Sequence, residues 1–212
     1  MGQLNIQIST SLDGFVAGPN QTRENPLGEG GESLHEWAFA TAGWREAHGR
    51  EGGTTGPEDD LAREMQSRHG AEIMGRNKFG GGPGPWDADE PWNGWWGDDP
   101  PFPYPVFVLT HHEREPLTLG QTTFTFVTDG IESALEQARA AAGDRDVLIG
   151  GGAQVCNEYL AAGLVDELLV HVAPILLGGG ERLFEGVPPA QLECTQVVES
   201  AQATHLRYRV AR

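Results

Sequence analysis

Apolar and polar residues alternate at the start of the chain, with Leu4, Ile6 and Ile8 set against Asn5, Gln7 and Ser9, and this period of two predicts a strand over 4–9. Residues 71–74, 106–110 and 147–149 are short, mostly apolar runs that predict buried strands, and 165–172 is another. Residues 123–127 read as a half-buried strand. Between these runs the period lengthens. Residues 57–68 open on Pro57 followed by Glu58, Asp59 and Asp60 and close on Arg68, the charge order a helix dipole favours, and 131–142 is a helix of alanine and leucine. Residues 192–198 and 204–210 are alternating runs joined by a short turn, which predicts an antiparallel hairpin. About eight strands and at least three helices in mixed order predict an α/β fold, with one mixed, mainly parallel sheet and that hairpin as its tail, in a single domain over 1–212.

Two stretches interrupt the pattern. Residues 20–56 are rich in Gly, Glu and Asn around a short helix-like run at 35–44, and residues 80–105 are dominated by Gly, Pro, Trp and Asp. The second excludes regular structure and carries Trp86, Trp92, Trp95 and Trp96. Loops of this length are functional or disordered.

The stretch Val147-Leu-Ile-Gly-Gly-Gly-Ala-Gln-Val155 passes from strand through a glycine turn into a helix, with a further strand after Gly163. Such a crossover places its strands parallel, with the turn at the carboxyl edge of the sheet where open α/β folds bind ligands. Gly150, Gly151 and Gly152 leave backbone N–H groups bare at the positive end of the following helix, which suits a phosphate. The alternative is a helix packed too closely on its strand to tolerate side chains. The spacing is not that of the dinucleotide fingerprint, because Ala153, Gln154 and Val155 follow where a third glycine would be needed.

Composition narrows the partner. Fourteen basic against thirty-one acidic side chains give a net charge of -17, a field that repels nucleic acid and anionic membranes and favours a small-molecule partner. In so acidic a chain the cations beside a glycine turn stand out, and Gly75-Arg-Asn-Lys78 supplies a guanidinium and an ammonium together. Cys156 and Cys194 read as ordinary buried thiols in a reducing compartment, and with no apolar run of membrane length and no signal-peptide character the expected location is the cytoplasm. His111 and His112 point to opposite faces if they continue a strand, so no metal site is expected there. His171 interrupts an apolar strand as a hydrogen-bonded core histidine would, and Asp13 before Gly14 reads as a turn former.

Four blocks in register carry a resemblance: Ser11-Leu-Asp-Gly-Phe-Val-Ala-Gly18, Ile73-Met-Gly-Arg76, Ile149-Gly-Gly-Gly-Ala153, and Gly163-Leu-Val-Asp-Glu-Leu168 leading to Ala173-Pro-Ile-Leu-Leu-Gly-Gly-Gly180. The chain resembles the three-layer dihydrofolate reductase fold and, more closely, the reductase domain of bacterial riboflavin biosynthesis, the RibD C-terminal domain, in its stand-alone form. The resemblance implies NADPH as cofactor. It places Val16, Ala17 and Gly18 beside the nicotinamide and Gly75, Arg76, Asn77 and Lys78 on the adenosine side, with Arg76 on the 2′-phosphate. Thr110 and His111 would flank the adenine, and Gly150, Gly151, Gly152, Ala153 and Gln154 would lie under the pyrophosphate. Relatives of this kind commonly form homodimers, with a sheet edge or the apolar strand at 168–172 as the expected contact.

Hydride transfer to a C=N or C=O bond requires a proton on the other atom. The folate enzymes carry an acid on their first long helix, and the matching stretch here offers Asp60 or Asp59, although both also suit an ordinary helix start. The two long loops are expected near the substrate end, where the tryptophans would either stack on a flat heterocycle or only pack the loop. The substrate expected first is the ribosylaminopyrimidine of riboflavin synthesis, then dihydrofolate. A different class of reading is a non-catalytic NADP-binding protein.

Overall fold

A computed structural model describes residues 2–82, 84–89 and 91–211. Its strands are β1 (Leu4–Ser11), β2 (Phe15–Ala17), β3 (His69–Gly75), β4 (Val106–Leu109), β5 (Leu117–Leu119), β6 (Thr122–Val127), β7 (Asp146–Ile149), β8 (Glu167–Ala173), β9 (Glu181–Arg182), β10 (Leu192–Glu199) and β11 (Thr204–Val210). Its helices are α1 (Glu36–Phe39), α2 (Ala42–Ala47), α3 (Pro57–Arg68), α4 (Arg76–Phe79), α5 (Ile131–Ala142) and α6 (Ala153–Ala161), with a 3-10 turn at Gly31–Leu34.

Nine strands form one sheet in the order β10-β11-β8-β1-β7-β3-β4-β6-β5, and β2 pairs separately with β9. From β8 to β6 every pairing is parallel; β5, β11 and β10 run antiparallel. The expected mixed, mainly parallel sheet with its terminal hairpin is therefore present. The 57–68 and 131–142 helices fall where their patterns put them, α3 opening on Pro57 with acids in its first turn.

The sheet's two faces are built from different material. On one, Leu4, Ile6, Ile73, Ile149 and Leu168 pack with Leu135 and Ala138 of α5 and Cys156 and Tyr159 of α6 in one apolar core. Removing such side chains from water stabilises the fold by about 1.5–3 kcal/mol each. The opposite face is divided. Over β4 and β6 it is aromatic, with Phe79, Phe102, Phe124 and Phe126 packed among themselves and under Trp86, Trp92 and Trp96. Over β1, β8 and β11 it is polar and covered by α1 and α3. There Gln7 Nε2 meets His171 Nε2 at 3.1 Å, His171 Nδ1 meets His205 Nδ1 at 2.7 Å, and His205 Nε2 meets Glu58 at 3.3 Å. Donation in one direction, from Gln7 through two neutral imidazoles to the carboxylate, satisfies all three contacts.

Several expectations change. His171 is the buried, hydrogen-bonded core residue anticipated. Cys156 is buried, and burial pushes its thiol up to about 12, but Cys194 lies exposed on β10 because that strand forms the outer edge of the sheet. The 168–172 stretch is paired on both sides, by β1 and β11, so it offers no free strand edge; the outer edges are β5 and β10. Among the described residues no helix is long and apolar enough to cross a membrane, and no group of three or more His, Cys, Asp or Glu could hold a metal ion.

Candidate active site

Parallel pairing brings the carboxyl ends of the central strands to one edge of the sheet. A cleft of ≈ 990 Å³ opens there, near the top of the range of about 300–1,000 Å³ usual for small-molecule sites. Ile8 and Ser9 of β1, Gly75 of β3, Leu109 and Thr110 at the end of β4, Thr128 after β6, and Gly150 to Gln154 after β7 all line it. Val16 and Ala17 of β2 line it as well, as do Arg76, Asn77, Lys78 and His111. The residues expected to hold a cofactor thus converge on one cavity, with one exception.

That exception is Gly18, which does not line the cleft. Its N–H donates to the Leu27 carbonyl, and a Cβ there would run into the backbone carbonyl of Glu29, so this glycine lets loop 19–31 fold back onto β2. The glycine turn also splits in function. A Cβ on Gly150 would strike the Glu72 carboxylate and the Lys78 ammonium, whereas Gly152 faces open space and Gly151, at φ +110, meets only the tip of Ile8. Gly150 therefore belongs to the packing beneath the turn, and Gly151 and Gly152 present the bare backbone at the start of α6; the peptide between them is cis.

The two cations of Gly75-Arg-Asn-Lys78 have separate fates. Lys78 donates to Glu72 at 2.6 Å, and the Glu72 carboxylate, 2% exposed, also accepts from Tyr104 at 3.3 Å. This ammonium is already neutralised by a buried acid. Arg76 is not. Its guanidinium donates to Thr110 Oγ1 at 3.2 Å and to the carbonyls of Gly80, Gly81 and Gly84, and it lies 3.2 Å over the Trp86 ring. No carboxylate among the described residues pairs with it. Burial, and then the neighbouring Arg114, lower its pKa, the signature of a cation held where an anion would be welcome. Arg114 stacks on the same Trp86 and donates to the Trp92 carbonyl and to Asn93.

The tryptophans divide between packing and lining. Trp86 donates to the His112 carbonyl and Trp92 to the Phe79 carbonyl, which pins the 80–105 loop to the body, while Trp95 and Trp96 reach the cleft wall. The loop wraps Arg76. The 20–56 insertion also reaches the cleft, through Gln21, Pro26, Leu27 and His35.

Neither aspartate proposed as the acid faces the cavity. The Asp59 carboxylate accepts from the Gly43 N–H and from Arg63 Nε at 3.0 Å, which ties α3 to α2, and Asp60 is exposed to solvent. A first-turn acid that caps a neighbouring helix has the same sequence appearance as a catalytic one. Asp13 behaves as the turn former expected: it accepts from Ser11 at 2.6 Å and from the N–H groups of Leu177 and Gly178, and these bonds, led by Ser11, hold its carboxyl at about 2. The residues sequence reasoning missed are His35, Ile8, Ser9 and Thr128. The last three stand at strand ends and follow from the parallel topology; for His35 no pattern in the insertion pointed to it.

The sheet order and edge cleft define a dihydrofolate reductase-like α/β fold. The backbone matches dihydrofolate reductase from Enterococcus faecalis complexed with NADP(H) at a TM-score of 0.53 and 15% identity, covering 100% of this chain and 98% of that one. The chain belongs to the RibD C-terminal domain family, whose model matches residues 3–206. It is also similar to a putative riboflavin biosynthesis protein from Shewanella sp. PV-4 (TM-score 0.61, 22% identity, 99% of both chains) and to the riboflavin biosynthesis reductase Rib7 of Saccharomyces cerevisiae (0.54, 14%, 100% and 90%). In sequence it is similar to the uncharacterized protein YwjB of Bacillus subtilis, 26% identical over 110 residues, a match that spans 51% of this chain and 63% of that protein.

Proposed function

We propose that this protein is an NADPH-dependent reductase that passes a hydride to a small heterocycle, most like 5-amino-6-(5-phosphoribosylamino)uracil. The observation that carries the reading is the cleft itself, which holds Arg76, without a carboxylate partner among the described residues, and the open Gly151–Gly152 backbone at the head of α6 within the same cavity. The family and the reductases among its structural neighbours support the same class.

The residues present fit the cofactor. Arg76 and Thr110 would hold the 2′-phosphate, Gly151 to Gln154 the pyrophosphate, and the backbone of Val16 and Ala17 the nicotinamide carboxamide. The bound cofactor would supply a hydride. The chain's own part is to hold the charged groups in place, to exclude water with Trp95, Trp96 and the loop after β2, and to present the acceptor atom to a donor.

Purified protein mixed with NADPH and either the ribosylaminopyrimidine or dihydrofolate, with reduced-nicotinamide absorbance followed, tests the proposal. Turnover of the first and not the second is the expected result. Turnover of dihydrofolate alone would move the assignment to a pteridine reductase, tight NADPH binding with no turnover of either to a non-catalytic NADP-binding protein, and no NADPH binding would refute both.

A further inference from the structure

His35 has an unused imidazole in the cleft. It follows the 3-10 turn packed against β1, β2 and β8, and its main chain is fully engaged: its N–H donates to the Glu32 carbonyl and its carbonyl accepts from Ala38 and Phe39. His35 lines the cavity, as do Ser9, Val16 and Ala17 of the strands the 3-10 turn packs against. Its only ring neighbour within contact range is Phe39, with centroids 6.0 Å apart, and among the described residues neither ring nitrogen has a hydrogen-bond partner.

Of the other histidines that are not exposed, His112 also lines the cleft and bonds only through its main chain, while the remaining four use their rings. His48 and His69 bond backbone carbonyls through Nδ1 at 2.7 Å, and His171 and His205 bond each other. The ring nitrogens of His35, without a protein partner among the described residues, are left open to the cleft, where a ligand can meet them.

Two residues further on, the chain is anchored. Trp37 is buried, donates to Ser9 Oγ at 3.0 Å, and lies 4.2 Å from the His171 ring and 4.8 Å from that of His205. This clamp, with the main-chain bonds of His35 itself, holds the backbone that carries the imidazole in place before any ligand arrives. Burial, aided by the charge of Lys78, lowers the imidazole to about 4, so at neutral pH it is uncharged and carries one N–H donor.

We propose that His35 is the group that donates a hydrogen bond to the acceptor heteroatom of the substrate, a role that deepens the reductase reading and rests on it. In such a reduction the substrate carbon gains a hydride with its electron pair, the π pair of the C=O or C=N bond withdraws onto oxygen or nitrogen, and that atom takes a proton from water, with NADPH as the two-electron donor. The N–H of His35 meets the negative charge as it develops on that atom. The role assigned to Asp59 and Asp60 from the sequence passes in part to a residue of the insertion.

The test compares wild type with His35→Phe and His35→Gln, measuring NADPH affinity by fluorescence and turnover of the ribosylaminopyrimidine and of dihydrofolate. In parallel, the His35 ring signal is followed by NMR in ¹⁵N-histidine protein saturated with NADP⁺. The expected result is NADPH affinity within about threefold in both variants, kcat lowered about 100-fold in the Phe variant with a smaller change in KM, partial recovery in the Gln variant, and a His35 signal that moves when either heterocycle is added. Equal kcat in the Phe variant, or a signal indifferent to both heterocycles, overturns the inference while leaving the reductase reading intact. Loss of NADPH affinity in the Phe variant also overturns it, by making His35 a cofactor ligand. Failure of wild type to bind NADPH overturns both.

Discussion

The two ends of β3 carry one arginine each, and the two are used in opposite ways. Arg68, just before the strand, bonds Asp146 at 2.7 Å, Glu167 at 2.6 Å and Glu64 at 3.2 Å, and Arg207 reaches two of the same acids, Glu167 and Glu64. Burial opposes that charge, but the carboxylates outweigh it and raise the Arg68 pKa. Arg76, just after the strand, has among the described residues only neutral oxygens and an aromatic face, beside a second arginine, and its pKa falls. The difference teaches that Arg68 is closed by ion pairs for stability at the amino end of β3, whereas at the carboxyl end Lys78 is closed by Glu72 and Arg76 is left open, where the proposed anion would complete the site.

The largest expected effect is at Lys78, the cation of the open end that is neutralised. Lys78→Ala strands the Glu72 carboxylate, and urea unfolding should show a loss of about 3–5 kcal/mol. A loss below about 1 kcal/mol would mean that this pair is not structural and that Lys78 is free to meet a ligand after all.

Arg68→Ala should cost about 2–3 kcal/mol, less than a fully buried pair because its partners are partly solvated, and should leave NADPH affinity unchanged. A matching drop in affinity would erase the distinction between the two ends. Arg76→Ala should do the reverse. Unfolding free energy should change little, while the preference for NADPH over NADH, read by thermal shift or fluorescence, should shrink by about 1.5–3 kcal/mol, or about 10- to 150-fold. If the preference survives, the 2′-phosphate lies elsewhere.

The smallest effect per group is a pH dependence. Burial, and next the neighbouring His205, hold His171 well below the ordinary histidine range, and burial also lowers His69 against the pull of the Met65 carbonyl. The unfolded chain protonates these imidazoles near pH 6.5, and the folded chain only further down, so in between the unfolded state binds more protons. Stability should therefore fall as pH drops below about 6.5, by about 1.4 kcal/mol per pH unit for each such histidine. Asp146 adds to this at lower pH: burial disfavours its charge, but the Gln3 N–H and Arg68 prevail and lower its pKa, and that support is lost as pH falls through the carboxylate range. Urea midpoints between pH 7 and 4 check the trend, and a flat profile would show that the histidines are not held neutral.

Much of the fold was legible because parallel strands buried on both faces leave short apolar runs and the glycine turn announces the crossover. Arg76 was legible because charge is scarce and positive charge scarcer. Three things were hidden for physical reasons. The Asn5, Gln7 and Ser9 side of β1 has the pattern of a solvent face, yet α1 and α3 cover it, and side-chain hydrogen bonds that no periodicity encodes meet its polar groups, Asn5 Oδ1 excepted. Strand β5 has three residues and β9 two, too few to show a period. His35 comes into the cleft through contacts made far along the chain, by Trp37 with Ser9, His171 and His205, so its position is a tertiary fact.

The division within the glycine turn bears on any attempt to retune the cofactor. Gly151 and Gly152 are free of neighbours that would clash with a new methyl group, although at Gly151 the positive φ would strain one, whereas Gly150 is the roof over the Glu72–Lys78 pair. A library that randomises all three positions together would discard its members at the first for failing to fold, and would then misread that loss as intolerance in ligand binding. Diversity placed at Gly152 alone would sample recognition without disturbing the scaffold.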